Sequence, residues 1–402
     1  MLPLFAAILP VLILTCGLAI DVSLLQIRKI ELQGAADAAA RAAEIQYERN
    51  TNFNAAITAA KADASLNGFT DGASNTTISV GLQPSYGAYA GFADAIQVRI
   101  VQQVPTFFMG TLNGGNVTLN AIAVALSPPC LYVTGAAGLV TYPLAISSSA
   151  LLRAFCPIYA NTGISSDSSS NMQVIGTNVA GPASASSVAG SYNYAPRYNA
   201  RAITDPLASV AQPSVSTSSC DQTSYSKSGG TVTLNPGTYC KGMSLTNVTV
   251  TMNPGLYVIT GGANWNAAKV SGSGVTLFFT TGGGAGYGQF LITNNSYLTF
   301  SAPLDTSGGA VPTILVFGDR NWVHTANQDF QCSQSTIYGD GIWYTTGTGL
   351  SFNACNISAG HYFSIVSDNV TMVGGGSGYV ITSDYSHIAT GNPYETLGGL
   401  VQ

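Results

Sequence analysis

The sequence predicts a protein that is α+β in its N-terminal part and all-β in its C-terminal part. The expected architecture is a transmembrane segment and extended helix over residues 1–50, a small α+β domain over 51–127, and a right-handed parallel β-helix-like solenoid over 128–402. Three observations support this prediction: an apolar run that passes into a helical pattern, alternating segments behind it, and an internal repeat in the C-terminal half.

Composition already restricts the class of protein. Gly contributes 45 of 402 residues and charged residues only 8%, whereas hydrophobic residues make up 46%, which is typical of a β-rich exported chain rather than a disordered one. The formal net charge is −5, and Lys and Arg form no block. We therefore expect no nucleic acid partner, because neutralising phosphates requires clustered basic side chains.

The N-terminal apolar run covers residues 2–20, with Thr15 as its polar side chain. As a helix this run would be about 28 Å long, close to the thickness of the hydrocarbon core of a bilayer. A cleaved signal peptide normally starts with basic residues, and the first basic residue here is Arg28. We therefore predict an uncleaved anchor in contact with membrane lipid. Its predicted membrane or assembly positions are Leu4, Phe5, Ile8, Leu9, Pro10, Leu12, Leu14, Leu18, Ile20, Leu25 and Leu32.

The helical pattern continues through the Ala-rich stretch GAADAAARAAEIQYER, whose small side chains allow close packing either on the chain's own domain or on a partner helix. A second helix is predicted over Thr51–Asn67. Alternation of apolar and polar residues predicts strands at Thr76–Leu82, Ala95–Gln102 and Asn116–Leu126. A helix packed on a small antiparallel sheet is the expected result.

A family resemblance rests on the stretch LPLFAAILPVLILTCGLAIDVSLLQIRKIELQGAADAAARAAE. It resembles the N-terminus of the TadE/TadG-like proteins of Flp (tight adherence, Tad) pilus assembly, as does the later segment PTFFMGTLNGGNVTLNAIAVAL. The matching residues are Pro10, Gly17, Leu18, Ala19, Ile20, Asp21, Leu32, Gln33, Ala35, Ala36, Asp37, Ala38, Ala39 and Ala40. The resemblance implies a pilin-like or pseudopilin-like N-terminal part, and partners among pilin subunits or the Tad/Flp pilus machinery.

The C-terminal region contains an internal repeat. TVTLNPGTY, beginning at Thr231, recurs as TVTMNPGLY, beginning at Thr249. A short repeat made of strands and turns, with no helical period, is typical of a stacked solenoid. We favour a parallel β-helix, and a β-sandwich with a duplicated hairpin is the alternative. The resemblance to TadG-related C-terminal regions also favours the solenoid.

Six of the seven cysteines fall as three sequential pairs: Cys130 and Cys156, Cys220 and Cys240, Cys332 and Cys355. An even number of cysteines behind an export-type segment suggests disulfides in an oxidising compartment, and sequential pairing is our hypothesis. Buried free thiols are the alternative. These cysteines favour an extracytoplasmic location for the chain after the apolar run, although Arg28 and Lys29 taken alone would favour the reverse orientation.

The sequence contains few residues that could take part in catalysis or ligand binding. Acidic residues beyond 128 are scattered, and their densest neighbourhood is Asp319-Arg320-Asn321-Trp322-Val323-His324. Asp340 follows about one repeat later, so it could stack near Asp319. The simplest interpretation is that each of these Asp residues lies in a surface turn. We predict no catalytic residue, no metal and no cofactor. The candidate ligand contacts are Asp319, Arg320, Trp322, Asp340 and Trp343.

The leading functional hypothesis is a non-enzymatic, membrane-anchored, pilin-like or assembly component of a Tad/Flp-type pilus. It would be located in the bacterial inner membrane with a periplasmic C-terminal region, or in a cell-surface pilus. The second hypothesis is a surface or pilus-tip adhesin that binds glycan or a host surface. The third is a carbohydrate-active enzyme, which would need gathered carboxylates.

Overall fold

A computed structural model describes residues 2–50, 52–82, 84, 95–110, 115–127, 129–136, 140–200, 202–214, 218–322, 329–374, 378–388, 393–394 and 399–401, and leaves the side chains of 2–14, 48–50, 386 and 399–401 undescribed. The chain divides into two compact units. Unit 1 comprises residues 1–127 and 398–402, and unit 2 comprises residues 128–397.

Unit 1 begins with two helices, α1 (Leu2–Asn50) and α2 (Phe53–Leu66). The side chain of Asn52 caps α2 by accepting hydrogen bonds from the amides of Asn54 and Ala55. α2 buries small side chains spaced four residues apart, so that this face can approach its neighbours closely. They are Ala56, Ala60 and Ala64.

The helices of unit 1 accompany an antiparallel sheet made of β1 (Thr76–Leu82), β2 (Ala95–Pro105) and β3 (Asn116–Leu126). The three predicted strands are therefore confirmed, β1 and β3 to the residue. β2 continues three residues further than the alternating pattern indicated. Alternate residues of these strands are buried, as expected for a sheet with one covered face.

Unit 2 contains the remaining strands except the last. In chain order they are β4 (Leu131–Val133), β5 (Leu144–Ser147), β6 (Leu151–Ala154), β7 (Ile158–Ala160), β8 (Ile164–Ser166), β9 (Asn171–Val174), β10 (Thr177–Val179), β11 (Ser187–Val188), β12 (Ser191–Tyr192), β13 (Gln222–Ser228), β14 (Thr231–Leu234), β15 (Gly237–Thr246), β16 (Thr249–Met252), β17 (Gly255–Thr260), β18 (Ala263–Asn266), β19 (Lys269–Ser273), β20 (Val275–Thr280), β21 (Phe290–Thr293), β22 (Tyr297–Ser301), β23 (Ile314–Gly318), β24 (Phe330–Ser333), β25 (Thr336–Asn353), β26 (Asn356–Val373) and β27 (Gly378–Ser383). Short 3₁₀ helices lie at Ala183–Ala185, Ser307–Gly309 and Tyr385–His387. The chain then returns to unit 1 as β28 (Gly399–Val401), which pairs antiparallel with β3.

The strands of unit 2 form one 24-stranded sheet and pair in parallel, most of them with a strand one or two repeats away in the sequence. We call each layer of such strands a rung. The sequence repeat is reproduced in register, since Thr231–Leu234 pairs residue for residue with Thr249–Met252. Inward side chains of successive rungs fill a continuous core, and Trp265 at its centre contacts Phe290 edge-to-face, with ring centroids 4.8 Å apart.

The rungs do not follow chain order. β26 pairs with β4 and β5, and β27 pairs with β6, so the earliest segment of unit 2 stacks beyond its latest one. From β12 the chain must then run back along the stack to reach β13. Residues 202–214, which we call the strap, make this return as irregular backbone without helix or strand.

Three disulfides tie neighbouring rungs. They join Cys130 to Cys156, Cys220 to Cys240, and Cys332 to Cys355, which is the sequential pairing. The loops they close span 26, 20 and 23 residues, about the length of one rung, so each bridge connects one layer to the next.

The predicted fold class is wrong. The chain is mostly β, with 49% of its residues in strands and two α-helices in its described part. Among the described residues, none of the helices combines the length and apolarity needed to cross a membrane. From Thr15 onward α1 carries Asp21, Arg28, Lys29 and Glu31, and the predicted span positions from Leu4 to Leu14 fall on side chains outside the described set.

The predicted right-handed β-helix-like solenoid over 128–402 also needs correction. The large sheet is not a succession of coils in chain order, because the strands of residues 131–192 stack after those of residues 356–383. The 18-residue repeat reports only the spacing of neighbouring rungs. It therefore held no information on where the non-repetitive segment 131–192 would stack.

Candidate functional site

α1 buries one face and exposes the other within unit 1. The residues from 32 to 43 that are fully buried are one Leu and several Ala, which lets the helix lie close to the sheet. They are Leu32, Ala35, Ala36, Ala39, Ala40 and Ala43. Of the predicted membrane or assembly positions with described side chains, Leu32 is buried, Leu25 is partly buried, and Leu18 and Ile20 are exposed.

Asp21 is the polar anchor of this buried face. Its side chain is 1% exposed, and its carboxylate accepts hydrogen bonds from the backbone amides of Phe107, Phe108 and Met109 at 3.0, 2.8 and 2.7 Å. Burial alone would raise the pKa of Asp21, but the three amide donors outweigh it and hold that pKa below its usual value. The side chain therefore ties the segment after β2 to the helix.

Gly17, a second residue of the family pattern, lies one turn before Asp21. A Cβ atom at Gly17 would come within 2.3 Å of the Phe108 ring, so the ring needs the space that glycine leaves. Gln33 donates to the carbonyl of Ile122 on β3 at 3.0 Å. The residues that the resemblance singled out thus dock α1 on its own sheet.

The opposite face of α1 carries an apolar strip. It is formed by Ile20, Leu24, Ile27 and Ile30, whose exposed fractions are 52%, 47%, 55% and 72%. Their spacing of three or four residues places them on one side of the helix. We call this surface the α1 strip, and it points away from the small residues that pack on the sheet.

In unit 2, Asp319 and Arg320 serve the strap. Asp319 accepts from Gln212 at 3.0 Å and from Thr280 at 2.5 Å. The guanidinium of Arg320 donates to the carbonyls of Leu207 and Val210, each at 2.8 Å. These two predicted ligand contacts therefore have partners inside the chain.

Trp322 and Trp343 are interior residues. Trp322 is 4% exposed and stacks on Tyr287 with ring centroids 4.8 Å apart. Trp343 is 3% exposed and packs among core aromatics such as Phe352 and Phe363. Neither ring presents a surface to a ligand. The other members of the predicted neighbourhood, Val323 and His324, lie outside the described residues.

Asp340 does not stack on Asp319. It pairs in register with Ser301 and lines a surface cavity of about 510 Å³. Its Oδ2 lies 2.9 Å from Nδ1 of His361, and its Oδ1 accepts from the backbone amides of His361 and Tyr362. The ring of His361 in turn contacts that of His387, with centroids 3.9 Å apart.

Sequence reasoning missed this association of side chains. His361 and His387 look solitary in the sequence, yet rung pairing brings His361 to Asp340, and the 3₁₀ helix Tyr385–His387 places His387 against His361. Asp340 and His361 are 21 residues apart, which is close to one repeat, and this spacing is the sequence signal that could have revealed their contact. Among the described residues, no three His, Cys, Asp or Glu side chains are placed to hold a metal ion.

Comparisons with known proteins locate the family signal in unit 1. Residues 1–61 match the family described as Flp pilus-assembly TadE/G-like, and residues 33–125 match the family described as Tad-like Flp pilus-assembly. The resemblance seen in the sequence is thereby confirmed. Neither match extends into unit 2, and no curated protein or solved structure matches the chain.

Proposed function

We propose that the chain is a non-enzymatic structural component of Tad/Flp pilus assembly, because its residues 1–61 and 33–125 match family models of Flp pilus-assembly proteins. In this proposal unit 1 provides the contact with pilin subunits or other assembly components. The domain boundary stays at residue 128, and the C-terminal domain is displayed outside the cytoplasm.

The observation that carries the proposal is the α1 strip. Four large apolar side chains side by side on a helix favour burial, and each contributes about 1.5–3 kcal/mol when it leaves water. Since α1 already uses its other face to pack on the sheet of unit 1, the strip is free for a partner. An apolar face of a helix in a second subunit would complement it.

The extracytoplasmic location rests on the three disulfides of unit 2. Their sulfur atoms belong to cysteines that are mostly buried between rungs, and such bridges form and persist in oxidising compartments. A periplasmic or cell-surface position would meet this requirement. Fractionation of cells into inner membrane, periplasm and sheared fibres distinguishes the two positions.

The test is the double variant Ile27→Asp/Ile30→Asp, expressed in cells that assemble the pilus. We expect the full-length variant to fold and to lose at least 10-fold in co-purification with pilin or assembly components. The control is Leu66→Asp, which adds one of the two carboxylates of the double variant to an apolar residue of α2 that is 85% exposed and lies outside the strip. Undiminished co-purification of the double variant would show that the strip is not the assembly surface.

A further inference from the structure

We propose that unit 2 has a second function as a binding site for a neutral, linear polysaccharide chain. The site is an elongated surface groove, and nothing in the proposed pilus role requires it. Two adjoining cavities of about 510 and 560 Å³ form this groove and share part of their lining. The shared residues are Pro254, Ser273, Ser301, Asp340 and His361.

The groove runs along the stack, across the rungs. In-register pairing links Thr251 to Ser271, Ser271 to Thr299, and Thr299 to Tyr338. Gly360 and His361 line the groove on the next rung. Since neighbouring strands lie about 4.8 Å apart, these five rungs extend over about 20 Å. A groove of this shape fits an extended polymer better than a compact ligand.

The groove wall carries a hydroxyl side chain at four of its five rungs. These are Thr251, Ser271, Thr299 and Tyr338, which are exposed or partly exposed, whereas the residue before each of them is buried in the core. The repeat distance is the strand spacing, which is close to the advance of one pyranose residue along an extended glycan. Hydroxyls of successive sugar residues can therefore meet equivalent partners.

The charged end of the groove is rich in hydrogen-bond acceptors. Asp340 contributes a carboxylate whose Oδ2 lies 2.9 Å from Nδ1 of His361, so this contact holds both side chains at the same end of the groove. Asp305 adds a second carboxylate, and hydrogen bonds from Ser307 hold the pKa of Asp305 below its usual value. Among the described residues, neither cavity is lined by Lys or Arg.

The distribution of hydrogen-bond acceptors in the groove determines which class of ligand it can bind. Two carboxylates, with no Lys or Arg among the described lining residues, favour a ligand that donates, as sugar hydroxyls do, and they repel a polyuronate. Pro254, Leu304 and Ile388 provide apolar surface for the C–H faces of sugar rings. Tyr338, 43% exposed, stands at the rim as the aromatic residue most accessible to a sugar ring.

The experiment measures binding of neutral β-1,4-linked glucose and N-acetylglucosamine oligomers, from two to seven residues, to the full chain by calorimetry. A β-1,4-linked polyuronate hexamer and a Lys-rich peptide are the comparison ligands. We expect affinity for a neutral oligomer to rise with length and level off near about five residues, the number of rungs in the groove. The polyuronate is expected not to bind.

Two variants test the location. Tyr338→Ala removes the rim ring, and Thr299→Trp fills the middle of the groove; each should weaken binding at least 10-fold while the circular dichroism spectrum is kept. Tyr297→Ala is the matched control, because Tyr297 is 47% exposed and does not line either cavity. Binding that both groove variants leave intact would overturn the proposal, as would absence of binding by every neutral oligomer. Salt-sensitive binding of the Lys-rich peptide alone would assign the groove to a cationic partner instead. Pilus co-purification is a separate readout, so either proposal can fail without the other.

Discussion

Arg320 fastens the strap, and its replacement measures how much the strap stabilises unit 2. In Arg320→Met the aliphatic stem remains, but the hydrogen bonds of the guanidinium to Leu207, Val210 and Tyr344 are lost. A hydrogen bond to a charged group contributes about 1.5–3 kcal/mol, and the lower value applies to a side chain that is only partly buried. Three such bonds give an expected loss of about 4 kcal/mol in the free energy of unfolding.

The assay combines denaturant unfolding of the full chain with hydrogen exchange of the backbone amides in residues 203–212. Arg153→Met is the matched control, because Arg153 is exposed and its Nε donates to Gln173 at 3.0 Å. We expect a change below about 0.5 kcal/mol for this control. If Arg320→Met unfolds like the control and exchange in the strap is unchanged, then the strap is not held by Arg320 and its stabilising role is refuted.

Three further predictions concern the two units separately. Gly17→Ala should destabilise unit 1 by about 1–3 kcal/mol through collision with Phe108, whereas Gly34→Ala, with open space around its Cβ, should be neutral or stabilising in thermal unfolding. Ala354 has φ of 51°, so Ala354→Gly should stabilise unit 2 by up to about 1 kcal/mol, and a lower midpoint in denaturant would contradict this. Burial raises the pKa of four tyrosines to about 12, whereas their pKa in the unfolded chain is about 10. The stability that these neutral side chains support is therefore complete below pH 10, and the free energy of unfolding should fall by about 3 kcal/mol for each as pH rises to 12. Tyrosinate absorbance monitors their ionisation. Coincident loss of structure and appearance of tyrosinate is expected, and tyrosinate formed in the folded state near pH 10 would contradict it. These tyrosines are Tyr132, Tyr239, Tyr344 and Tyr379.

Local patterns predicted local structure well. β1 and β3 have the predicted bounds because alternation along a half-buried strand reports which face is covered. The repeat at Thr231 and Thr249 predicted the register of two neighbouring rungs for the same reason. Charge clustering in sequence was less informative: Asp319 and Arg320 are adjacent in the chain, but the partners that satisfy them belong to the strap, more than a hundred residues earlier. Partners at such separations leave no local pattern.

For a related reason, the acceptor-rich end of the groove could not be predicted from the sequence. Asp340 follows Asp319 by about one repeat, and this spacing predicts only that the two residues lie on neighbouring rungs. Asp319 follows β23, whereas Asp340 lies in the part of β25 that pairs with β22, opposite Ser301, and so belongs to a different part of the rung. His387 is added by a 3₁₀ helix after the last strand of unit 2, which no repeat predicts.

The unusual order of the rungs has a topological explanation. Unit 2 is inserted in the sequence between β3 and β28, which pair directly with each other. In a stack of roughly ten rungs in chain order, its two ends would be about 45 Å apart. Because the segment that begins at Leu131 instead stacks on the rung of Ile365, β4 pairs with β26 and β6 pairs with β27, so the first and last rungs in chain order are neighbours. The strap makes this arrangement possible, since it carries the chain from the end of one partial stack to the start of the other. A long parallel stack can thus be inserted into a small sheet without separating the strands that flank it.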